Sequence, residues 1–399
     1  MLIEIHVLQN HAPSNLNRDD TGSPKECVFG GVKRARISSQ CLKRSIRRSG
    51  IFQDALEGSL GTRTRQLPEM VRERLHKDGI APDLAEVAAK KATGFGTKEG
   101  KEREDLRTAQ TMFLTDADVD AVTKVLRNAA TEASNAQEFD KVPAKELQAK
   151  AQQAGFRPIT VDIGLFGRMT TSQAFRDVEA AAQVAHALST HKVDHEFDYF
   201  TAVDDLKEGQ EEDTEEDAGA DMLGDVEYNS ACYYKYFSID LDGLCDNLTG
   251  KSIGRKEIPA EEAAAARALA TRATAALLRA AVMTTPSGKQ NTFAAHQLPA
   301  AVLVEVRPYH LPVSYANAFV DPARTSRDAD LVKASLHKLA AHVEVLTDGF
   351  NLPSEVRLLL CPQYADVQIK DVGRVPDLKT LCQRLESVMA AGRQGGHDG

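Results

Sequence analysis

The chain has 399 residues, 42% hydrophobic and 27% charged, a composition of ordinary globular proteins with room for two or three domains or one core with large insertions. Lys and Arg number 49 against 58 Asp and Glu, so the formal charge of −9 at first argues against a nucleic-acid binder. No stretch reaches the ~18 uninterrupted apolar residues of a membrane span, and Arg267, Arg272 and Arg279 break the best candidate, 263–283. The start lacks the basic and apolar regions of a signal peptide. Six scattered cysteines without a C-x-x-C pair indicate neither a disulfide framework nor a zinc ribbon. A reduced, cytoplasmic protein is expected.

Taken in chain order, Leu2 to Leu8 alternates Ile3, Ile5 and Val7 with Glu4 and His6 and predicts an opening strand. A polar loop over 9–26 follows, then a turn at Phe29-Gly30-Gly31 and a short basic strand over 33–37. A helix is predicted from Ser38 to about Ser49, with Ser38 or Ser39 as N-cap and Gly50 as its stop. Residues 54–150 read as a helical insertion of nearly balanced charge, 16 basic against 18 acidic. Residues 157–169 return to β-type residues and 173–190 read as a helix. Further strands are expected at 231–241, 300–306, 356–360 and 365–369, with helices over 260–283, 328–346 and 377–390. Strands alternating with helices and interrupted by insertions imply an α+β sheet core.

Charge is distributed unevenly. Residues 25–48 hold eight basic side chains against Glu26 alone, a net of +7. On the helix, Leu42 and Ile46 form the buried stripe, while Lys43/Arg47 and Arg44/Arg48 are like-charged i,i+4 pairs. Such pairs repel on an isolated helix, and an anionic ligand converts that repulsion into binding. The free N–H groups of the first turn beside Ser38 and Ser39 suit a phosphate. A polyanion along this edge is the functional reading, and a merely solvated basic face is the bland one.

Residues 204–227 carry twelve carboxylates against Lys207, a net of −11 that leaves the remainder of the chain at +2. The acidic average therefore belongs to one segment, which reads as a solvated run rather than a metal cluster. Just before it, Phe197, Tyr199, Thr201 and Val203 share one strand face with Phe200 on the other. An exposed hairpin whose side chains wedge between bases and a core edge strand both fit these residue types. His191 and His195 lack a third ligand at zinc spacing. No P-loop, nucleophile elbow, zincin helix or dinucleotide fingerprint occurs, nor the usual RNP motif of RNA-recognition domains. Asp19-Asp20 beside Arg18 reads either as a metal-assisted hydrolase pair or as loop carboxylates in a basic neighbourhood.

Several segments in order resemble the CasC family, the backbone subunit of the type I-E CRISPR Cascade complex in the RAMP superfamily. They are His11-Ala-Pro-Ser-Asn-Leu-Asn-Arg-Asp-Asp20, Phe29-Gly-Gly31, Arg36-Ile-Ser-Ser-Gln40 with Leu42-Lys-Arg44, Gly167-Arg-Met-Thr-Thr-Ser172, Phe200-Thr-Ala-Val-Asp-Asp-Leu206 and Lys289-Gln-Asn-Thr292. Arg-Ile-Ser-Ser-Gln and Phe-Thr-Ala-Val-Asp-Asp-Leu are the specific stretches, whereas 54–150 and the acidic run carry little of the match.

The resemblance implies an α+β fold: a modified RNA-recognition-motif (ferredoxin-like) palm over 1–53, 151–190 and 229–399, helical fingers over 54–150, and a thumb hairpin with its acidic loop over 191–228. It implies a non-catalytic subunit that needs no cofactor and no metal. Copies polymerise along the spacer of a CRISPR RNA and displace bases at regular intervals. The guide is then presented for pairing with target DNA, beside other Cascade subunits (CasA, CasB, CasD and CasE). Protein reads the backbone and base pairing reads the sequence. Arg18, Lys25, Lys43 and Arg47 would contact guide phosphates, with Ser38 and Gln40 adding hydrogen bonds and Lys289 and Gln290 further contacts. Met169 would pack against a base, and Phe200, Thr201 and Val203 would form the wedge. The enzyme alternative is a metal-dependent ribonuclease of the same superfamily, with Asp19, Asp20, Asp204 or Asp205 as its candidates. A third reading is a stand-alone RNA binder that never polymerises.

Overall fold

The computed structural model describes residues 1–153, 155–202 and 222–391. The strands are β1 (Leu2–Ser14), β2 (Glu26–Phe29), β3 (Val32–Ile37), β4 (Thr62–Thr64), β5 (Met112–Leu114), β6 (Ala182–Val184), β7 (Ala187–Ser189), β8 (Glu196–Ala202), β9 (Met222–Asp240), β10 (Ala301–Arg307), β11 (Val356–Leu360) and β12 (Gly373–Val375). Helices are α1 (Ser39–Arg48), α2 (Gly50–Ala55), α3 (Leu67–Lys77), α4 (Pro82–Thr93), α5 (Asp116–Glu132), α6 (Ala136–Asp140), α7 (Ala144–Gln152), α8 (Val161–Phe166), α9 (Leu241–Thr249), α10 (Ala260–Met283), α11 (Gln290–Phe293), α12 (Leu331–Phe350) and α13 (Leu378–Ala391).

The chain divides into two compact units. Of the described residues, the first comprises those within Met1–Ser49, Val184–Ser238 and Leu277–Val388, the second those within Gly50–Gln183 and Ile239–Ala276 together with 389–391.

The first unit is built on a mixed sheet in the order β12-β11-β10-β1-β9-β7-β3-β2, with β8 pairing against β9. β10 runs antiparallel to β1 and β11, and β12 runs parallel to β11. Along β9 the side chains alternate between two cores. Cys232, Tyr234 and Tyr236 face Leu336, Leu339, Ala340 and Val343 of α12, while Ala231 and Tyr233 join Leu42 of α1. Both faces of the sheet are therefore covered.

That double cover buries the polar positions of β1 along with the apolar ones: Glu4 and His6 are fully buried. They sit in a neutralised network. Arg307 pairs with both Glu4 and Glu305, Arg357 Nε lies 2.6 Å from Glu305, and Tyr236 donates to Glu4 at 2.6 Å. His6 Nε2 stands 3.3 Å from Glu305. The His6 hydrogen bond first, and then the Arg307 and Arg357 guanidiniums, hold the Glu305 carboxyl down at about 2 against the cost of burial.

The second unit packs α3, α4, α5 and α7 around Leu67, Val71, Phe95, Val122, Leu126 and Phe139. β4 and β5 form a separate two-stranded ladder. Thr115 caps α5 in a full capping box with Asp118.

Five predicted features differ. Residues 157–169 contain α8 and one isolated bridge, not a strand, because Gly164 lets the turn approach Leu244 closely. The span 173–190 holds a loop with β6 and β7 rather than a helix; Ala187 and Ser189 are buried as sheet residues. The opening strand runs on to Ser14, beyond Leu8. Residues 365–369 are irregular, and β12 supplies the parallel edge instead. Gly50 does not stop the basic helix. Ser49 is the C-cap, and Gly50 opens α2.

Candidate nucleic-acid interface

The basic segment begins at a tight hairpin. Phe29 pairs with Val32 across Gly30 and Gly31, whose φ values of 61° and 78° suit the two left-handed positions of a type I′ turn. A Cβ at Gly30 would stand 1.9 Å from the Val320 carbonyl oxygen, so the turn seats on that loop. Arg34 is consumed structurally: it is buried and donates to the carbonyls of Phe29, Ser189 and Phe319. Sequence composition had counted it with the free charges.

α1 starts where Ser38 Oγ accepts from the Cys41 N–H at 3.3 Å and the Ser38 N–H donates to Asn17 Oδ1 at 2.8 Å. Ser38 is buried and serves as the cap. Gln40 is exposed on the first turn. Leu42 and Ile46 are buried as the spacing predicted. Arg47 and Arg48 occupy the last turn, where they also complement the helix dipole.

Beside α1 lies an open groove of about 840 Å³. Its walls are the loop Leu16–Gly22, the Cys41, Arg44, Ser45 and Arg48 side of α1, and Thr284, Thr285, Ser287 and Gly288. Arg18, Arg44 and Arg48 line it, and Asp19 and Asp20 share the loop wall with Arg18. A Cβ on Gly288 would stand 2.4 Å from the Leu16 carbonyl oxygen, so only glycine lets this wall close on the loop. Thr284 Oγ1 is buried without a partner, a hydroxyl available to an entering ligand.

Of the residues read from sequence, Arg18 lines the groove and Lys25 lies outside its wall, acting through space on His186 and Cys41. Lys43 and Arg47 stand on the neighbouring, half-buried stripe of α1. Burial alone pushes the Lys43 ammonium below its usual value. Arg44 and Arg48 are the groove residues the site prediction missed, although their like-charged spacing was the signal. Lys289 follows Gly288 in a left-handed conformation, φ 50°. Gln290 Nε2 donates to the Pro286 carbonyl at 3.0 Å and so braces the same loop, while its Oε1 is buried without a partner.

Asp19 is spent on loop geometry. Its carboxylate accepts from the Thr21 N–H at 2.9 Å, the Thr21 hydroxyl at 2.8 Å and the Ser23 N–H at 3.0 Å. These bonds hold it below the usual carboxylate range. Among the described residues, the one trio with metal-ligand spacing is Glu4, His6 and Glu305, already neutralised by Arg307 and Arg357.

β8 and β9 pair antiparallel as an aromatic hairpin in the register Phe200↔Gly224. Phe197 and Tyr199 stack on one face at 6.5 Å, and Phe200 and Thr201 are exposed as well. Gly224 makes room for the Phe200 ring, which a Cβ there would meet at 2.4 Å. At the hairpin base the His195 ring pairs with Glu227 and lies 3.4 Å from Glu26. Val203, Asp204 and Asp205, with the acidic run to 221, lie outside the described residues.

In the second unit, Gly167 turns at φ 79° and Met169 is 93% exposed. Its neighbour Arg168 is buried and anchored, donating to Asp118 at 2.6 Å and to the Arg176 carbonyl at 3.0 Å. Met169 thus stands as a single exposed, flexible thioether on an anchored turn.

The family model described as CT1975-like protein matches residues 3–384. The chain belongs to that family. No curated protein matches it. Among solved structures, this CT1975-like chain is similar to a chain of "CRISPR RNA-guided surveillance complex, pre-nicking". That match has 28% identity and a TM-score of 0.77 over 98% of this chain and 100% of the other. A chain of a second "CRISPR RNA-guided surveillance complex" shares the fold at 24% identity, with a TM-score of 0.68 over 97% and 100%. Among the described residues no helix is long and apolar enough to cross a membrane, and the six cysteines are unpaired.

Proposed function

We propose that this CT1975-like chain is the guide-binding backbone subunit of a Cascade-type complex, of the type I-E CasC kind, and acts without catalysing a reaction. The observation that carries the reading is the open groove lined by Arg18, Arg44 and Arg48, on a chain whose full length matches a CRISPR RNA-guided surveillance complex component. Groove cations and hydroxyls address phosphate and ribose, which suits a scaffold for arbitrary spacers.

The strand order also supports an RNA-recognition-type palm. β10-β1-β9-β7, with α1 between β1 and β7 and α10 between β9 and β10, follows the 4-1-3-2 order of a ferredoxin-like βαββαβ unit. In such a unit RNA ordinarily stacks on sheet aromatics. Here Tyr234 and Tyr236 lie under α12, so the guide has to run past α1 and the exposed hairpin instead. On this reading the β8–β9 hairpin is the thumb, Phe200 and Thr201 belong to its wedge, and Met169 packs on a base. Successive copies and the other Cascade subunits complete the particle, and target DNA pairs with the guide. The engagement of Asp19 in its own loop favours the non-catalytic role over a ribonuclease.

The test is expression with a CRISPR RNA and partner subunits, followed by chemical footprinting of the co-purified RNA. Base reactivity recurring at a fixed interval is expected. Bound RNA without periodicity would remove the thumb assignment, and magnesium-dependent cleavage of complementary RNA would restore the ribonuclease.

A further inference from the structure

The second unit holds a charge imbalance that the guide groove does not use. Among the described residues, Asp118 is the one carboxylate lining a cavity that Arg157, Arg168 and Arg176 also line. Arg157 Nε lies 3.3 Å from one Asp118 oxygen and Arg168 Nη1 lies 2.6 Å from the other. Asp118 also accepts from the Thr115 N–H at 3.1 Å as part of its capping box. One carboxylate thus serves two guanidiniums and a backbone donor. Arg157 Nη2 donates to the Ala174 carbonyl, while its Nη1 is buried with no partner. An arginine cannot escape by losing its proton, so this N–H group calls for an acceptor. Phe175 packs against both guanidiniums, 5.6 Å from Arg157 and 6.0 Å from Arg168, and holds them in place. Arg176 and Ser252 are exposed at the rim.

We propose that Arg157, Arg168 and Arg176 form a second phosphate-binding site, on the helical unit. The enclosed space of about 20 Å³ admits one oxygen. One phosphate oxygen enters to accept from Arg157 Nη1, and the remaining oxygens stay at the rim with Arg176 and the Ser252 hydroxyl. The group is either a backbone phosphodiester of a nucleic-acid strand or free phosphate. The first source rests on the guide-binding reading; the phosphate chemistry does not.

Two measurements on the full-length chain test it. In the first, thermal unfolding is followed with inorganic phosphate against chloride at matched ionic strength. Wild type should gain stability saturably, and Arg176→Gln, altered only at an exposed side chain, should lose most of that gain while unfolding normally without phosphate. Arg157→Lys keeps a cation beside Asp118 but lacks Nη1, and should lose the gain as well. In the second, binding of a labelled single-stranded oligonucleotide is titrated across salt. Arg176→Gln should lower the log–log slope by about 0.7, so that the affinity lost between 50 and 200 mM salt shrinks by about threefold.

Loss of the phosphate response together with a lower slope assigns the site to a strand. Loss of the phosphate response with an unchanged slope assigns it to free phosphate. A wild type that answers phosphate no more than chloride, or an Arg176→Gln that answers as wild type does, overturns the site and leaves a water against Arg157. The first measurement uses no nucleic acid, so failure of the guide-binding reading would show separately, as absent oligonucleotide binding.

Discussion

Replacing Arg44 and Arg48 together by alanine tests the guide groove at its base. Both side chains are exposed on the α1 face that lines the groove, one turn apart, and like-charged. Removing them buries nothing and relieves a repulsive i,i+4 pair, offset by the loss of Arg48 from the last helical turn, so the folded state should change by less than about 1 kcal/mol. If each neutralises one phosphate of a single strand, each contributes about 0.7 to the slope of log K against log[salt]. The double variant should lower that slope by about 1.4. A fourfold rise in salt then costs it about sevenfold less affinity than it costs wild type. Fluorescence anisotropy with an unstructured labelled RNA across a potassium chloride series measures this, and thermal unfolding checks the fold. The parallel variant Lys43→Ala with Arg47→Ala asks which stripe of α1 the strand follows. An unchanged slope in Arg44→Ala with Arg48→Ala would refute the groove as the strand's path, whatever the other pair does.

Three further outcomes follow from buried charge and exposed side chains. Glu305→Gln leaves Arg307 and Arg357 short of their carboxylate and should cost about 3–5 kcal/mol in chemical denaturation. In wild type the folded carboxyl lies at about 2 against an ordinary 4.5, so its contribution is present above 4.5 and is lost as pH falls from 4.5 towards 2. Glu305→Gln should flatten that acid limb, and an unchanged limb would count against the network. Lys235 is fully buried and held to about 8 by desolvation, and its ammonium donates to Gln9 Oε1. Keeping it charged costs stability progressively as pH falls from 10.5 towards 8 and in full below 8, whereas Lys235→Met strands the Gln9 oxygen at about 1–3 kcal/mol at every pH. Wild type should gain stability relative to Lys235→Met as pH rises from 8 towards 10.5, and a flat difference would show that Lys235 is not desolvated. Met169→Ala removes a side chain that is 93% exposed and should leave unfolding unchanged while altering base reactivity in footprints of bound RNA. An unaltered footprint would sink the base contact.

Much of the sheet was legible because its strands and helices obey local rules. Ala260 to Met283 is a helix with the limits its composition implied, and Val356 to Leu360 is a strand because five consecutive apolar or long-stemmed residues sit between turns. The shared face of Phe197 and Tyr199 on β8 follows from period-2 alternation, whereas the register with β9 did not. What failed was non-local. Residues 173–190 contain good helix formers, yet Ala187 and Ser189 are claimed by the sheet, whose partner Tyr234 lies far along the chain. Tertiary pairing overrides propensity there.

The site was half legible for the same reason. Composition located the positive segment within 25–48, but it could not tell a buried, carbonyl-bound Arg34 from an exposed Arg44. That distinction depends on the Phe319–Val320 loop, which closes over Arg34 from nearly 300 residues away. The groove's other wall, Thr284 to Gly288, contains no motif of its own. It becomes part of a site only because Gly288 lets it press against the Leu16 carbonyl. A sequence can advertise charge. Which charges meet a ligand is decided by the backbones that close over the rest.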